Sequence, residues 1–446
     1  ASLPSSVTRL RFVNASSHAD SDGRRRRLLP RRLAGWAGSL HGNLHTLGYF
    51  SADVCVGTPG RSFDLIVDTG SALTAFPCAS CSHCGLHKHG SVNGARYSES
   101  QSSTNQKVAC SKPPPGMHCR SCDGSACAYG VSYTEGSTIK GHMSRDKFWF
   151  GKSDGSRIGV DASFGCQTYE SGMFNTQVAD GITGWSMGRS YGPTLFDWFL
   201  QGTKAPDVFS MCLSETIGAM VLGGAVPAAL PAGGQWIPYT GGSSYTVELV
   251  DIKLDGKSTG ASSSNYRSTI VDSGTTFMYL PPTVRAHAPA TAASTATTAS
   301  TFHHPHRLLR LPQAYRAMRD FFRSHCPWGS CSSRVAKGEY PDDYCFTMST
   351  AELDQLPPYS LHFGNGVTLP FGPRQYAYEL RKGVWCLGVF DNEHNGAVIG
   401  GANMRNYEVI FDRVHRRVGW VPSDCAKLHG GTTASALSGG YSISGC

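Results

Sequence analysis

No apolar run in the 446 residues approaches the roughly 18 to 20 that a membrane-crossing helix needs, so no segment reads as spanning a bilayer. Charge is sparse, at 16% of residues, and helical periodicity is scarcer still. The net charge of +8 is not spread over the body of the protein. Within residues 1–33, Arg9, Arg11, Arg24, Arg25, Arg26, Arg27, Arg31 and Arg32 stand against only Asp20 and Asp22, a net of +6 that leaves +2 for the remainder. A nearly neutral body argues against a nucleic-acid partner and confines the basic character to an N-terminal arm. Ala1 carries neither an initiating Met nor a signal peptide, as in a processed or recombinant segment.

Cysteine and glycine, by contrast, are abundant. Sixteen cysteines exceed cytosolic usage, and seven of them, Cys78, Cys81, Cys84, Cys110, Cys119, Cys122 and Cys127, fall in one stretch. Disulfides formed in an oxidising, secretory compartment are the first reading. The alternative is a zinc site using the thiolates and imidazoles of "CASCSHCGLHKH", Cys78 to His89. Asn14 in "NAS" is a glycosylation sequon suited to the same compartment.

Short β-rich runs such as "SFDLIVDTG", "YTVELVDIKLDG", "STIVDSG", "YEVIFD" and "RVGWVP" alternate with Gly, Pro, Ser and Asp turns, which predicts an all-β architecture. Two segments read as helices, "PTLFDWFLQ" and "LPQAYRAMRDFFRSH", the second with apolar positions at Tyr315, Met318, Phe321 and Phe322. Residues 287–306, "HAPATAASTATTASTFHHPH", cannot build a core and read as a disordered surface insertion. Residues 1–43 read as a mobile, propeptide-like arm, and 426–446 as a flexible tail of the kind that leads to an anchor.

The middle of the chain repeats itself loosely. An early half holds "LIVDTGSALTAF" and later "DGITGWSMG"; a second half holds "TIVDSGTTFMYL" and later "AVIGGANMR". Each couples an Asp-hydroxyl-Gly loop to a downstream glycine run, and two similar lobes follow. Asp68-Thr69-Gly70-Ser71 and Asp272-Ser273-Gly274-Thr275 share one frame: apolar strand, Asp, hydroxyl, Gly, hydroxyl, apolar residues. One such loop is an ordinary turn. Two with matched flanks resemble the pepsin-like aspartic proteases over roughly Gly48 to Cys425.

That resemblance implies a bilobal fold with an N-terminal lobe over 44–238 and a C-terminal lobe over 239–425. It implies Asp68 and Asp272 as the catalytic pair, with Thr69, Gly70, Ser71, Ser273, Gly274 and Thr275 steadying them and Gly184 and Gly400 beneath the loops. Two carboxylates a hydrogen bond apart cannot both ionise comfortably, so they share a proton, as aspartic proteases are known to do. One member takes a proton from water while the other donates to the substrate carbonyl. No metal or cofactor is called for. The cysteine-rich insertion 78–127 precedes a flap over 128–145, in which Tyr133 matches the family's flap tyrosine. Pepsin holds that tyrosine with a Trp, but here the matching position is Ala75.

"GNLHTLGYFSADVCVGTPG", "CASCSHCGLHKHG", "SYTEGSTIKG" and "GCQTYESGMFNTQVADGITGWS" further resemble plasmepsin V, which cuts export motifs in apicomplexan parasites, and its coccidian Golgi counterpart. Thr134 stands where plasmepsin V has a free Cys, which favours the coccidian likeness. The implied substrate is a polypeptide carrying Arg-x-Leu, in particular Arg-Arg-Leu, cut after Leu. Glu135 beside the flap tyrosine would take the Arg bidentately, with Glu170 and Gln177 in support. "RRLAG" at Arg31 to Gly35 writes this motif into the enzyme's own arm and makes Leu33–Ala34 a candidate self-cleavage bond. Family likeness also implies the disulfides Cys345–Cys386 and Cys212–Cys425, and leaves Cys55 and Cys446 as extras. The expected setting is the secretory lumen, the Golgi ahead of the endoplasmic reticulum, and the expected state a monomer. Two rival readings are a digestive protease of nepenthesin type with loose apolar preference, and a protease-shaped binding protein without catalysis.

Overall fold

The structure, a computed structural model, describes residues 38–43, 47–87, 96–152, 155–231, 233–281, 314–339, 343–392, 396–429, 435–437, 440–443 and 446. Residues 1–37, with the Leu33–Ala34 bond and Asn14, and the 287–306 insertion lie outside them.

One sheet of 16 strands runs through the molecule, and three smaller sheets complete the C-terminal half. At its centre is a six-strand antiparallel platform shared by both lobes. In spatial order its strands are Gln235–Pro238, Arg417–Pro422, Tyr407–Asp412, Val208–Leu213, Ile217–Leu222 and Gly38–Asn43. Two hairpins meet at its middle, where Phe209 pairs with Phe411 and their rings stack at 4.7 Å. Every residue of Val208–Leu213 and Tyr407–Asp412 is buried, so both strands are covered on both faces. That is why they read as apolar runs with little polar alternation. Of the two charged exceptions, Asp412 pairs with Arg417, and Glu408 accepts hydrogen bonds from Ser210 Oγ (2.7 Å), Ser435 Oγ and the Ala436 N–H (2.7 Å).

Two boundaries drawn from composition are corrected by the fold. Residues 38–43, assigned to the arm, form a strand locked between Ile217–Leu222 and Tyr49–Val56, with Leu40 fully buried. The tail assigned as flexible docks where it is described. Leu437 packs among Val208, Val221, Ile410 and Val421. Tyr441 lies 5.1 Å from Phe199, and Ile443 is fully buried and pairs with Phe150. Cys446 is disulfide-bonded to Cys55, so the two apparent extras are partners. Three apolar anchors scattered among Gly, Ser and Thr are too thin a pattern to register as an element, yet each fills a pocket on the platform.

The helix Leu195–Thr203 starts on a Thr194–Asp197 capping box, and Ala314–Ser324 turns Met318 and Phe322 inward. All sixteen cysteines are paired. Cys345–Cys386 and Cys212–Cys425 are among the pairs, and Cys81–Cys84, Cys110–Cys122 and Cys119–Cys127 staple the insertion internally. Cys78 reaches across to Cys166. With Cys78, Cys81 and Cys84 oxidised, the insertion offers no thiolate to zinc. Among the described residues no helix is long and apolar enough to cross a membrane.

Candidate active site

Each catalytic loop leaves a strand that pairs in parallel with the segment ending at its partner glycine. Arg61–Asp68 runs beside Gly181–Gly184, with Asp68 level with Gly184; Thr269–Val271 runs beside Val398–Ile399. A Cβ on Gly184 would strike the Ala72 backbone at 2.5 Å, and one on Gly400 the Phe277 carbonyl oxygen at 2.1 Å. Both positions therefore require glycine.

The loops are near copies of each other. The Gly70 N–H donates to Asp68 Oδ1 at 2.7 Å, and the Gly274 N–H to Asp272 Oδ1 at 2.9 Å. Ser71 Oγ donates to Asp68 Oδ2, as Thr275 Oγ1 does to Asp272 Oδ2 at 2.6 Å. Beneath them the loops grip one another. The Thr69 N–H donates to Ser273 Oγ (3.1 Å) and the Ser273 N–H to Thr69 Oγ1 (2.9 Å), while Thr69 Oγ1 donates to Val271 O and Ser273 Oγ to Val67 O. Four hydroxyls and four N–H groups thus fix two carboxyls, and Asp68 and Asp272 are only 6% and 8% exposed. Burial pushes the Asp68 carboxyl well above the usual range, and the charge of Asp272 adds to the rise. The Ser71 hydroxyl and Gly70 N–H oppose it, and hydrogen bonding to Asp272 reinforces it. A pair built so that one member resists ionisation carries the single proton that general acid–base hydrolysis needs.

The flap is the hairpin Ala126–Ser132 and Thr138–Gly151, closed by Tyr133 N–H to Ser137 O (2.8 Å) and Gly136 N–H to Tyr133 O (3.0 Å). Burial holds the Tyr133 phenol well above its ordinary value, and the nearby charges of Asp68 and Glu135 raise it further. Its packing partner is Phe174, 5.1 Å away, which supplies the aromatic wall missing at Ala75. Phe174 escaped the sequence reading because it lies about forty positions downstream of Tyr133 and no motif announces it.

Glu135 sits in the flap turn, where burial raises its carboxyl against its own N–H and Ser137. Glu170 faces inward. Its side chain is fully buried, and its Oε2 accepts from the Gly85 N–H and bonds His87 Nε2, each at 3.0 Å, while Oε1 is buried without a hydrogen-bond partner. His87 Nδ1 in turn lies 3.3 Å from the Gln177 carbonyl, and the Gln177 amide donates to Ala179 O. His87 stood in the sequence only as a zinc alternative; its role is to pin the insertion to Glu170. Among the described residues, one other group carries metal-type ligands within reach of each other, Glu99, His142 and Cys166. It is already occupied: Cys166 is disulfide-bonded, and Glu99 bonds His142 at 3.0 Å and accepts from Ser144.

Two lobes on one platform, with paired Asp-hydroxyl-Gly loops back to back beneath a tyrosine flap, define an aspartic protease fold and site. The chain belongs to the pepsin-like aspartic proteases, as comparison with known families shows: models described as Xylanase inhibitor N-terminal and Xylanase inhibitor C-terminal match residues 50–224 and 285–422. It is 28% identical over 421 residues to Aspartic protease 5 of Toxoplasma gondii, covering 89% of this chain and 38% of that protein. It is 22% identical over 445 residues to Plasmepsin V of Plasmodium falciparum isolate 3D7, covering 86% and 73%. Aspartic proteinase 39 of Arabidopsis thaliana is 24% identical over 401 residues, covering 85% and 75%. The chain thus spans little more than a third of the Toxoplasma relative.

Proposed function

We propose that the chain is an endopeptidase of the secretory lumen, the Golgi ahead of the endoplasmic reticulum, that cleaves polypeptides after Leu in Arg-x-Leu. The dyad shares one proton; its ionised carboxylate takes a proton from water as the protonated partner donates to the scissile carbonyl, and the roles reverse as the amine leaves. The observation that supports the specificity is a carboxylate, Glu135, half-buried in the flap turn beside Tyr133. A desolvated carboxylate overhanging the cleft favours a planar, bidentate cation over a point charge. Glu170 and Gln177, expected to support Glu135, are instead buried in the anchor of the insertion, so the Arg reading rests on Glu135. The eight disulfides support an oxidising compartment. Both dyad loops are whole, which favours hydrolysis over the binding-protein reading that the name of the matching models brings with it.

The test is hydrolysis of an Arg-Arg-Leu peptide at mildly acid pH, beside the same peptide with Lys in place of the first Arg, the one the motif requires. Hydrolysis is expected, with a loss of at least about tenfold for Lys, because an ammonium cannot reproduce the fork. Glu135→Gln should erase the preference. Equal cutting of both peptides would leave a loose digestive protease, and no cutting at all a binding protein. For the arm, N-terminal sequencing of wild type and Asp68→Ala from secretory vesicles reads self-cleavage at Leu33–Ala34. An identical N-terminus in both rules it out.

A further inference from the structure

The outer strand of the flap, Ala126–Ser132, has a neighbour along only part of its free side. Ser121–Asp123 pairs with Ala126 to Ala128 and stops there, with Ser121 Oγ donating to Ala128 O at 3.2 Å. Past Ala128, no described strand continues along that side. Carbonyls two residues apart in a strand face the same way, so the next one presented there is Gly130 O. A side chain takes it. Tyr191 Oη donates to Gly130 O at 2.5 Å, and the Tyr191 ring packs T-shaped against Tyr129 with centroids 6.1 Å apart.

Tyr191 belongs to the segment that grips the first catalytic loop. The Trp185 N–H donates to Asp68 O at 2.7 Å and the Ser186 N–H to Ser71 O at 2.9 Å, and both residues are buried. A few residues on, the chain enters the helix Leu195–Thr203 through the Thr194 cap. Between these fixed ends the turn that carries Tyr191 is itself held. Gly192 has φ +107° and donates its N–H to Arg189 O. A Cβ on Gly192 would stand 2.5 Å from Met117 Cγ, so the turn lies flat against the cysteine-rich insertion. One short piece of chain therefore touches the dyad loop at one end and the flap at the other.

We propose that Tyr191 is a positioning residue for hydrolysis: by holding Gly130 O, its hydroxyl seats the flap, and with it Tyr133, at a fixed height over the dyad. This rests on the reading above of the chain as an endopeptidase whose cleft is closed by this hairpin. Tyr191 acts through the hairpin rather than on the substrate. The hydroxyl is the specific element, since a Phe would keep the packing on Tyr129 and lose the bond to Gly130. Without that bond the hairpin spends more time off its seat, and substrate binding weakens in proportion to the seated fraction lost.

The experiment compares wild type, Tyr191→Phe and Tyr407→Phe. The last variant loses an equivalent hydroxyl-to-carbonyl bond in the C-terminal half, from Tyr407 Oη to Pro370 O at 2.7 Å. Each protein is assayed for kcat and KM on an Arg-Arg-Leu peptide and for amide hydrogen exchange over residues 126–138. Tyr191→Phe should raise KM about fivefold, the worth of one such hydrogen bond, with kcat within about twofold of wild type. Exchange over 126–138 should quicken by a similar factor. Tyr407→Phe should change neither. An unchanged KM or unchanged exchange in Tyr191→Phe would overturn the role. So would a KM rise shared by Tyr407→Phe, which marks a general loss of stability. Should the wild type cut no peptide, the endopeptidase reading fails and the exchange still decides the contact: quickening confined to Tyr191→Phe upholds the seat at Gly130, and its absence overturns it.

Discussion

Gly70 lies so close to Asp272 that a Cβ built on it would stand 2.6 Å from the Asp272 carboxyl carbon. Gly274 stands in the same relation to Asp68, with its Cβ 2.3 Å from Oδ1. Each loop therefore owes its glycine to the other loop's carboxylate. Gly70→Ala is expected to lower kcat by at least about 100-fold, since the displaced carboxyl loses its place in the acid–base pair. Circular dichroism should show the strands retained. Near-normal turnover in the variant would mean that the dyad tolerates separation.

Ser71 donates to Asp68 and pulls its carboxyl down against burial and the charge of Asp272. Removing the hydroxyl in Ser71→Ala lets the carboxyl rise further. The alkaline limb of the kcat/KM profile, where the shared proton is lost, should move to higher pH. A limb that stays put or moves down would place the titration elsewhere.

The same raised carboxyl bears on stability. A folded state that holds a proton more tightly than the unfolded chain is fully favoured below the unfolded value near pH 4, and loses ground as pH rises through the folded one. Asp68→Asn removes that slope. The melting temperatures of variant and wild type should therefore lie close near pH 4, with the variant higher at pH 7. Parallel curves across that range would count against the assignment.

His87 and Glu170 are 2% and 0% exposed. Deleting one partner leaves the other buried, so His87→Ala should cost about 3 kcal/mol in denaturant unfolding. His87→Ala combined with Glu170→Gln should recover part of that loss. A cost below about 1 kcal/mol would mean the pair is exposed in solution.

Cys446→Ser opens the Cys55–Cys446 link. Cys78–Cys166 and Cys212–Cys425 already shorten the loop it closes to about 90 residues, so the loss is expected to reach at most about 4 kcal/mol. The lost stability should show as a lower denaturation midpoint, with an m-value that rises because the unfolded chain, freed of the cross-link, exposes more surface.

The catalytic loops were legible because their chemistry is local: each packs acid, hydroxyl and glycine into four consecutive residues. Of the platform strands, Tyr407–Asp412 and Arg417–Pro422 were legible for a related reason, since burial writes mostly apolar runs, whereas Gly38–Asn43, poor in apolar residues, was read as part of the arm. What escaped was set by contacts between distant segments. Nothing near His87 announces Glu170, and nothing near Tyr133 announces Phe174. In the tail, Leu437, Tyr441 and Ile443 each answer to a different pocket, so no period links them.

The platform has a mechanical consequence. The lobes share strands within one hydrogen-bonded sheet, and Phe209 and Phe411 stack at its midline. Swinging the halves apart would tear that ladder. A polypeptide reaching the dyad would instead be admitted by movement of the hairpin tip from Tyr133 to Gly136. Access to the dyad is thus expected to depend on how readily that tip lifts off Phe174.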